Sequence, residues 1–277
     1  MNDTTYDLSQ FQVLVVEDNK INQLLIKNML KKFGFVNFDA VDNGKLALSR
    51  IEREKYDIIL MDIQLPEMNG YETAELIRAK NVNSLQQTPI IALTGEAQDK
   101  NKMKAYSSGM NAYIVKPFMP EELLSTMLKC LNIPVSVSQK ISLNLSNKTN
   151  PSPLLINQKQ GMDLRFLGKY TGDDEDLTIR LIETFLYEVP EAIEKMELLI
   201  PMKNWKEVNA VSHKVKSCIT IFELHALRSI IVAIENSSLE LNKVEEIPTF
   251  FHDFKIGCRE AITNLEKELL QRSASKT

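Results

Sequence analysis

The sequence predicts two folds in one chain: a doubly wound α/β domain built on a five-stranded parallel sheet, followed by an all-α four-helix bundle. Three observations carry this. Up to residue 131, short apolar runs alternate with amphipathic stretches of helical period, five times over. The next stretch, 132–159, is rich in Ser and Asn, carries Pro134, Pro151 and Pro153, and sustains no period. After it the strand pattern ceases, and long amphipathic stretches with short connections take over. The expected plan is a tail at 1–10, an α/β domain at 11–131, a linker at 132–159 and a helical bundle at 160–277. A chain of 277 residues suits two domains, each able to bury its own core.

In the first domain, Val13 to Val16 form a continuous apolar run, the mark of a central strand buried on both faces. Asn19 is placed to cap the following helix, whose apolar positions Ile21, Leu24, Leu25, Met29 and Leu30 recur near the helical period until Gly34 stops it. The alternation continues with a strand at 35–41, a helix at 44–54, a strand over Ile58 to Met61 that delivers Asp62, and a helix at 71–80. A strand at 89–93, a helix at 98–107 and a strand at 112–115 complete it. Pro120, with Glu121 and Glu122 in the first turn, opens the last helix, because proline fits the first helical position and acids suit the positive end of the helix dipole. Within 132–159 a weak alternation at 135–145 leaves an added strand as the alternative to a linker.

Composition narrows the functional classes. A net charge of -4 without any Lys/Arg block excludes a nucleic-acid surface. Cys130, Cys218 and Cys258 are odd in number and show no metal-ligand spacing, so free thiols in a reducing compartment are expected. The polar N-terminus lacks an apolar signal region and no run of 18 apolar residues occurs, so the chain is expected to be cytoplasmic, without membrane contact of its own.

The polar residues delivered by the strand ends share one edge of the predicted sheet, where α/β folds bind ligands. Strand one gives Glu17 and Asp18, strand three Asp62, strand four Thr94, strand five Lys116. Each alone admits a structural role. Together, three converging carboxylates would repel one another without a cation, and an all-oxygen donor set calls for a hard divalent ion such as Mg²⁺. Lys116 adds an ammonium and Thr94 a hydroxyl for phosphoryl oxygens, so the set reads as a site for in-line phosphoryl transfer to Asp62.

On these residues, 11–131 resembles the receiver domain of two-component response regulators, a flavodoxin-like fold. Glu17 and Asp18 match the family's acidic pair, Asp62 its phosphoacceptor, Thr94 its switch hydroxyl, and Lys116-Pro117 its Lys-Pro pair. The resemblance implies a cis peptide bond before Pro117, a Mg²⁺ ligand from the backbone carbonyl of Gln64, and a switch role for Tyr113 alongside Thr94. It also implies that Gln64 and Glu96 tune phosphoryl lifetime. Leu65 and Asn69 stand where the family often has Met and Asp, a departure that touches no chemistry.

In the second half an acidic start at 173–176 opens a helix running to about residue 202, with Pro190 placed to kink it. Helices at 204–219, 223–235 and 244–271 follow. In the first of these, Val208, Val211, Val215 and Cys218 mark the core face. His213, about 200° from Val211 and Val215, is expected to point straight out, with Asn209, Ala210, Lys216 and Ser217 on its own face. A ring flanked by small residues, with the Lys216 ammonium one turn away, would suit a phosphate-accepting histidine. His213 to Ser217 resembles the His-x-x-Lys-Gly core of histidine phosphotransfer (Hpt) domains, with Ser217 in place of glycine. His225, His252 and Trp205 have no such setting.

The resemblances imply a phosphorelay protein whose sites are Asp62 and His213 for phosphorylation, Thr94, Lys116 and Lys216 for assistance, Glu17, Asp18, Asp62 and Gln64 for Mg²⁺, and Thr94 with Tyr113 as switch. Expected partners are a sensor histidine kinase and other receiver or Hpt proteins. No ATP-binding motif is visible, so the chain is not a kinase by itself and fits the C-terminal part of a hybrid sensor kinase. Two other classes share some of these features: a Mg²⁺-dependent phosphatase with an aspartyl nucleophile, which would want an acid where Gln64 stands, and an interaction adaptor with vestigial phospho-sites.

Overall fold

The computed structural model describes residues 6–80, 87–95, 98–134, 164, 167–172 and 174–274. The expected linker, its alternative strand at 135–145, Glu96 and the first acid of the 173–176 run therefore lie largely or wholly outside the described residues. Two compact units divide the chain, Met1–Asn150 and Pro151–Thr277.

In the first unit, β1 (Gln12–Val16), α1 (Lys20–Phe33), β2 (Asn37–Val41), α2 (Gly44–Arg53), β3 (Ile58–Asp62), α3 (Gly70–Ala79), β4 (Ile90–Thr94), α4 (Asp99–Ser107), β5 (Ala112–Val115) and α5 (Pro120–Cys130) alternate. The five strands are parallel in the order β2-β1-β3-β4-β5. Every residue of β3 and β4 is buried, as the unbroken apolar runs required. The order reverses between β1 and β3, and a crevice at that edge is where a doubly wound sheet takes ligands.

Local chemistry sets the element ends. Asn19 Oδ1 accepts from the Asn22 backbone N–H at 3.0 Å and caps α1. Gly34 closes the helix at φ +97°, a conformation that costs a residue without Cβ little. Asn69 and Glu72 cap α3 reciprocally as a capping box. Pro120 takes the first position of α5 as expected, with Met119 at the N-cap.

The second unit holds a short helix α6 (Gly168–Thr171), not anticipated, and four long ones: α7 (Glu175–Leu199), α8 (Trp205–Ile221), α9 (His225–Glu240) and α10 (Ile247–Ala274). Asp174 caps α7 by accepting from Leu177 N–H at 2.9 Å. Pro190 does not divide α7, whose buried residues Phe185, Val189, Ala192 and Met196 continue the packed face on either side. The core includes the Phe185 and Phe222 rings, tilted with centroids 4.6 Å apart. α9 extends five residues past its expected end. Ser237 and Ser238, beyond that end, are both buried in the helix, and the Ser238 hydroxyl donates to the Glu235 carbonyl at 2.9 Å.

Candidate functional site

The parallel register assembles the first site. Glu17 and Asp62 lie level with each other, one step beyond the last β1–β3 pair, Val16 with Met61. Thr94 ends β4 one step past the pair Asp62 with Leu93, and Lys116 follows Val115, the partner of Thr94. Glu17, Asp62 and Thr94 are buried, while Asp18 and Lys116 are half-buried. One carboxylate oxygen from each of Glu17, Asp18 and Asp62 lies within 4.8 Å of the others.

Lys116 ties the cluster together. Its Nζ stands 2.5 Å from Glu17 Oε2 and 2.7 Å from Asp62 Oδ2. Burial works against its charge, but Asp62 and Glu17 outweigh that and raise its pKa, so the ammonium is retained. Burial, and then the charge of Asp62, push the Glu17 carboxyl up to about 8, against the pull of Lys116. Three carboxylates against one ammonium leave two negative charges uncompensated when all are ionised. A hard divalent ion fits that charge and this all-oxygen donor set. Gln64 adds to the fit: its backbone N–H donates to Asp62 Oδ1 at 3.2 Å, and its side-chain Oε1 is buried without a hydrogen-bond partner.

The loop after Asp62 is held by a close approach. A Cβ on Gly70 would stand 2.2 Å from the Asp62 carbonyl oxygen, and the Gly70 N–H donates to the Ile63 carbonyl at 2.9 Å. Only glycine lets the first turn of α3 abut the end of β3 in this way. The Lys116–Pro117 bond is cis. Tyr113 packs, partly buried, against the sheet core.

Sequence reading missed Asn22 and Gln23. Asn22 Nδ2 donates to Glu17 Oε1 at 3.0 Å, and Gln23 Nε2 to the Glu17 carbonyl and to Asp42 Oδ1, each at 2.6 Å. The sequence carried no signal for either: Gln23 is buried, but Ile21 and Leu25, two positions away on each side, lie about 200° around the helix from it and do not mark its face.

In the second unit the expectation for His213 is corrected. It does not point straight out: its side chain is 16% exposed, and its Nδ1 lies 2.6 Å from Glu235 Oε1 on α9. The buried line of α8 runs along Val208, Ser212, Val215 and Ile219, with Val211 only half-buried, which turns His213 toward α9. Lys216 is turned the same way, its Nζ 2.8 and 2.7 Å from the two Glu235 oxygens, and Asn209 Nδ2 donates to the Glu235 carbonyl at 2.8 Å. Lys214 Nζ lies 3.3 Å from Glu188 on α7. His225 and His252 are exposed.

Glu235 is thus the residue that sequence reading missed in this half. The signal was an acid beside the apolar stripe Leu227, Ile231 and Ile234 of one helix. Burial acts to raise its pKa, but the hydrogen bond from His213 and the charge of Lys216 prevail and hold it below the ordinary carboxylate value of 4.5. A depressed carboxylate contributes stability that is fully present above that ordinary value and is lost as pH falls through the lower folded one. Glu235→Gln is therefore expected to weaken the bundle by about 2 kcal/mol at neutral pH and to flatten its loss of stability on acidification. Denaturant unfolding followed by fluorescence of Trp205, the single tryptophan of the chain, checks this; equal acid slopes would remove Glu235 from the account.

Comparison with known proteins identifies a two-component signalling family for each unit. Residues 13–128 match the response regulator receiver domain family and residues 180–271 the Hpt domain family. The chain joins a receiver domain to an Hpt domain. It is similar to the signal transduction histidine-protein kinase BarA of Escherichia coli strain K12, 26% identical over 85% of this chain and 25% of that protein. It is also similar to sensor protein GacS of Pseudomonas syringae pv. syringae, 32% identical over 55% of this chain and 17% of that protein. The chain thus spans a quarter or less of the length of these two relatives. Among solved structures, the receiver domain of sensor histidine kinase PA1611 from Pseudomonas aeruginosa PAO1, described with a magnesium ion coordinated in its active site cleft, is 37% identical over 44% of this chain and 98% of that one, with a TM-score of 0.41. Among the described residues, no helix is long and apolar enough to cross a membrane.

Proposed function

We propose that Asp62 accepts a phosphoryl group from a partner phosphohistidine, and that His213 exchanges phosphoryl with a receiver aspartate, in this chain or another. The observation that carries the reading is the buried meeting of Asp62, Glu17 and Lys116 at the sheet edge, beside Asp18. Glu17, Asp18, Asp62 and the Gln64 carbonyl would hold Mg²⁺, which when bound supplies positive charge for the phosphoryl oxygens.

The chain's own groups do the rest. An Asp62 carboxylate oxygen forms a bond to phosphorus as the P–N bond to the donor imidazole breaks, and the bonding pair returns to that ring, which takes up a proton where needed. Lys116 orients Asp62 beforehand and offers an ammonium to a phosphoryl oxygen afterwards. The Thr94 hydroxyl, on the neighbouring strand end, can donate to another.

For His213, Glu235 accepts the Nδ1–H bond, which fixes the tautomer and leaves the Nε2 lone pair as nucleophile. Nε2 bonds to phosphorus while the P–O bond to the aspartate breaks, and the carboxylate leaves with its electron pair. The ring gains positive charge, offset by Glu235. Lys216, whose Nζ donates to both Glu235 oxygens, acts on this charge balance through Glu235. A sensor histidine kinase and further receiver or Hpt proteins are the proposed partners, in the reducing cytoplasm.

The test is phosphoryl loading of the purified chain from acetyl phosphate. Label that requires Mg²⁺ and vanishes with chelator is expected, and label indifferent to the metal would overturn the receiver chemistry.

A further inference from the structure

We infer that Asn22 is a positioning residue for the divalent-ion site, acting through Glu17. The inference rests on the reading of Glu17, Asp18 and Asp62 as the site of that ion. Glu17 is fully buried, so its carboxylate cannot be steered by water and takes its orientation from protein donors. Its main chain is fixed independently of the side chain: its N–H donates to the Val41 carbonyl at 3.0 Å, and its carbonyl accepts from Gln23 Nε2. Its side chain is held from two directions. Lys116 draws Oε2, while Asn22 Nδ2 at 3.0 Å, aided by the Asn19 backbone N–H at 3.3 Å, draws Oε1.

The two donors differ in consequence. Lys116 is an ammonium shared with Asp62, and it competes with any cation for the same oxygens. Asn22 is a neutral amide and fixes the carboxylate without adding competing charge. It stands one turn into α1, on a helix whose start is set by Asn19, so its amide comes from a rigid element. Without the amide, only the longer bond from the Asn19 N–H opposes Lys116, and Glu17 can turn both oxygens toward the ammonium, closing the ion pair and withdrawing a ligand oxygen from the ion. Groups that hold metal ligands in place change metal affinity when removed even though they never touch the metal.

The experiment measures Mn²⁺ binding to the full, unphosphorylated chain by the electron paramagnetic resonance of free Mn²⁺. It compares wild type, Asp62→Asn, Asn22→Ala, Asn22→Gln and Asn43→Ala. Asn43 caps α2 outside the site, so its alanine variant supplies a comparable loss of stability without touching Glu17. Asn22→Ala is expected to weaken Mn²⁺ binding about tenfold, Asn22→Gln to recover part of that through its own amide, and Asn43→Ala to match wild type. In acetyl phosphate loading, the Mg²⁺ concentration for half-maximal rate should rise by the same factor in Asn22→Ala, with the rate at saturating Mg²⁺ unchanged. Wild-type binding that Asp62→Asn leaves intact, or no binding at all, would overturn the ion site itself. Binding by Asn22→Ala within twofold of wild type, or equal weakening in Asn43→Ala, would overturn the role of Asn22 alone.

Discussion

Asp62→Asn should reduce acetyl phosphate labelling of the receiver by more than about a hundredfold, to background, with the chain still folded. The substitution keeps the size and planarity of the side chain and replaces the nucleophilic oxygen by an amide nitrogen, so the loss is chemical. Folding is expected to survive because the change removes one of three crowded carboxylates, and with it the Asp62 charge that raises the Glu17 pKa. Lys116 keeps its partner Glu17 at 2.5 Å. Autoradiography of acid-quenched samples, with far-ultraviolet circular dichroism as the folding control, decides the matter. Undiminished Mg²⁺-dependent label in a folded Asp62→Asn chain would place the phosphoacceptor elsewhere.

The receiver half was legible because its chemistry sits at the ends of strands that announce themselves. Apolar runs such as Ile58 to Met61, too short for a helix of ordinary length and followed by Pro66 and Gly70, read as buried strands, and parallel register then carries Glu17, Asp62, Thr94 and Lys116 to one edge. What stayed hidden depends on side-chain direction. Asn22 and Gln23 look like ordinary polar residues in the first turns of a helix, and nothing in their spacing says that both turn back on Glu17. In the helical half the reading was coarser for a related reason. A helical wheel assigns faces to within a residue or so, and taking Val211 rather than Ser212 for the core turned His213 outward by more than the structure allows. Ser212 is fully buried because its hydroxyl bonds back to the Val208 carbonyl at 2.8 Å, which lets a polar residue occupy a core position. Glu235 was hidden because a buried acid becomes intelligible only once its partners on the neighbouring helix are seen.

His213→Gln should leave the loading of Asp62 intact and abolish acid-labile, base-stable label in the Hpt domain. Gln keeps a polar side chain that can bond to Glu235, but it offers no nitrogen lone pair able to take phosphoryl. The two labels are chemically distinct, since a phosphoramidate survives base and an acyl phosphate does not, so one sample treated both ways reports both sites. The geometry goes further and ranks the supporting residues. Because Glu235 meets Nδ1 at 2.6 Å and also takes up Lys216, removing it disturbs the tautomer, the ring orientation and the ammonium together. Glu235→Ala should therefore slow transfer to His213 by about a hundredfold, within the range for loss of a group that organises acid–base chemistry. Lys216→Ala leaves the Glu235 contact with the ring in place and should cost about tenfold or less. A reversal of that order, with Lys216 the more damaging loss, would mean that Lys216 leaves Glu235 and meets the phosphoryl group directly during transfer. Rapid-quench transfer from a phosphorylated receiver to the three variants measures the order. Dilution of the full chain then shows whether Asp62 of the same molecule is the donor, because transfer within one chain keeps its rate as concentration falls.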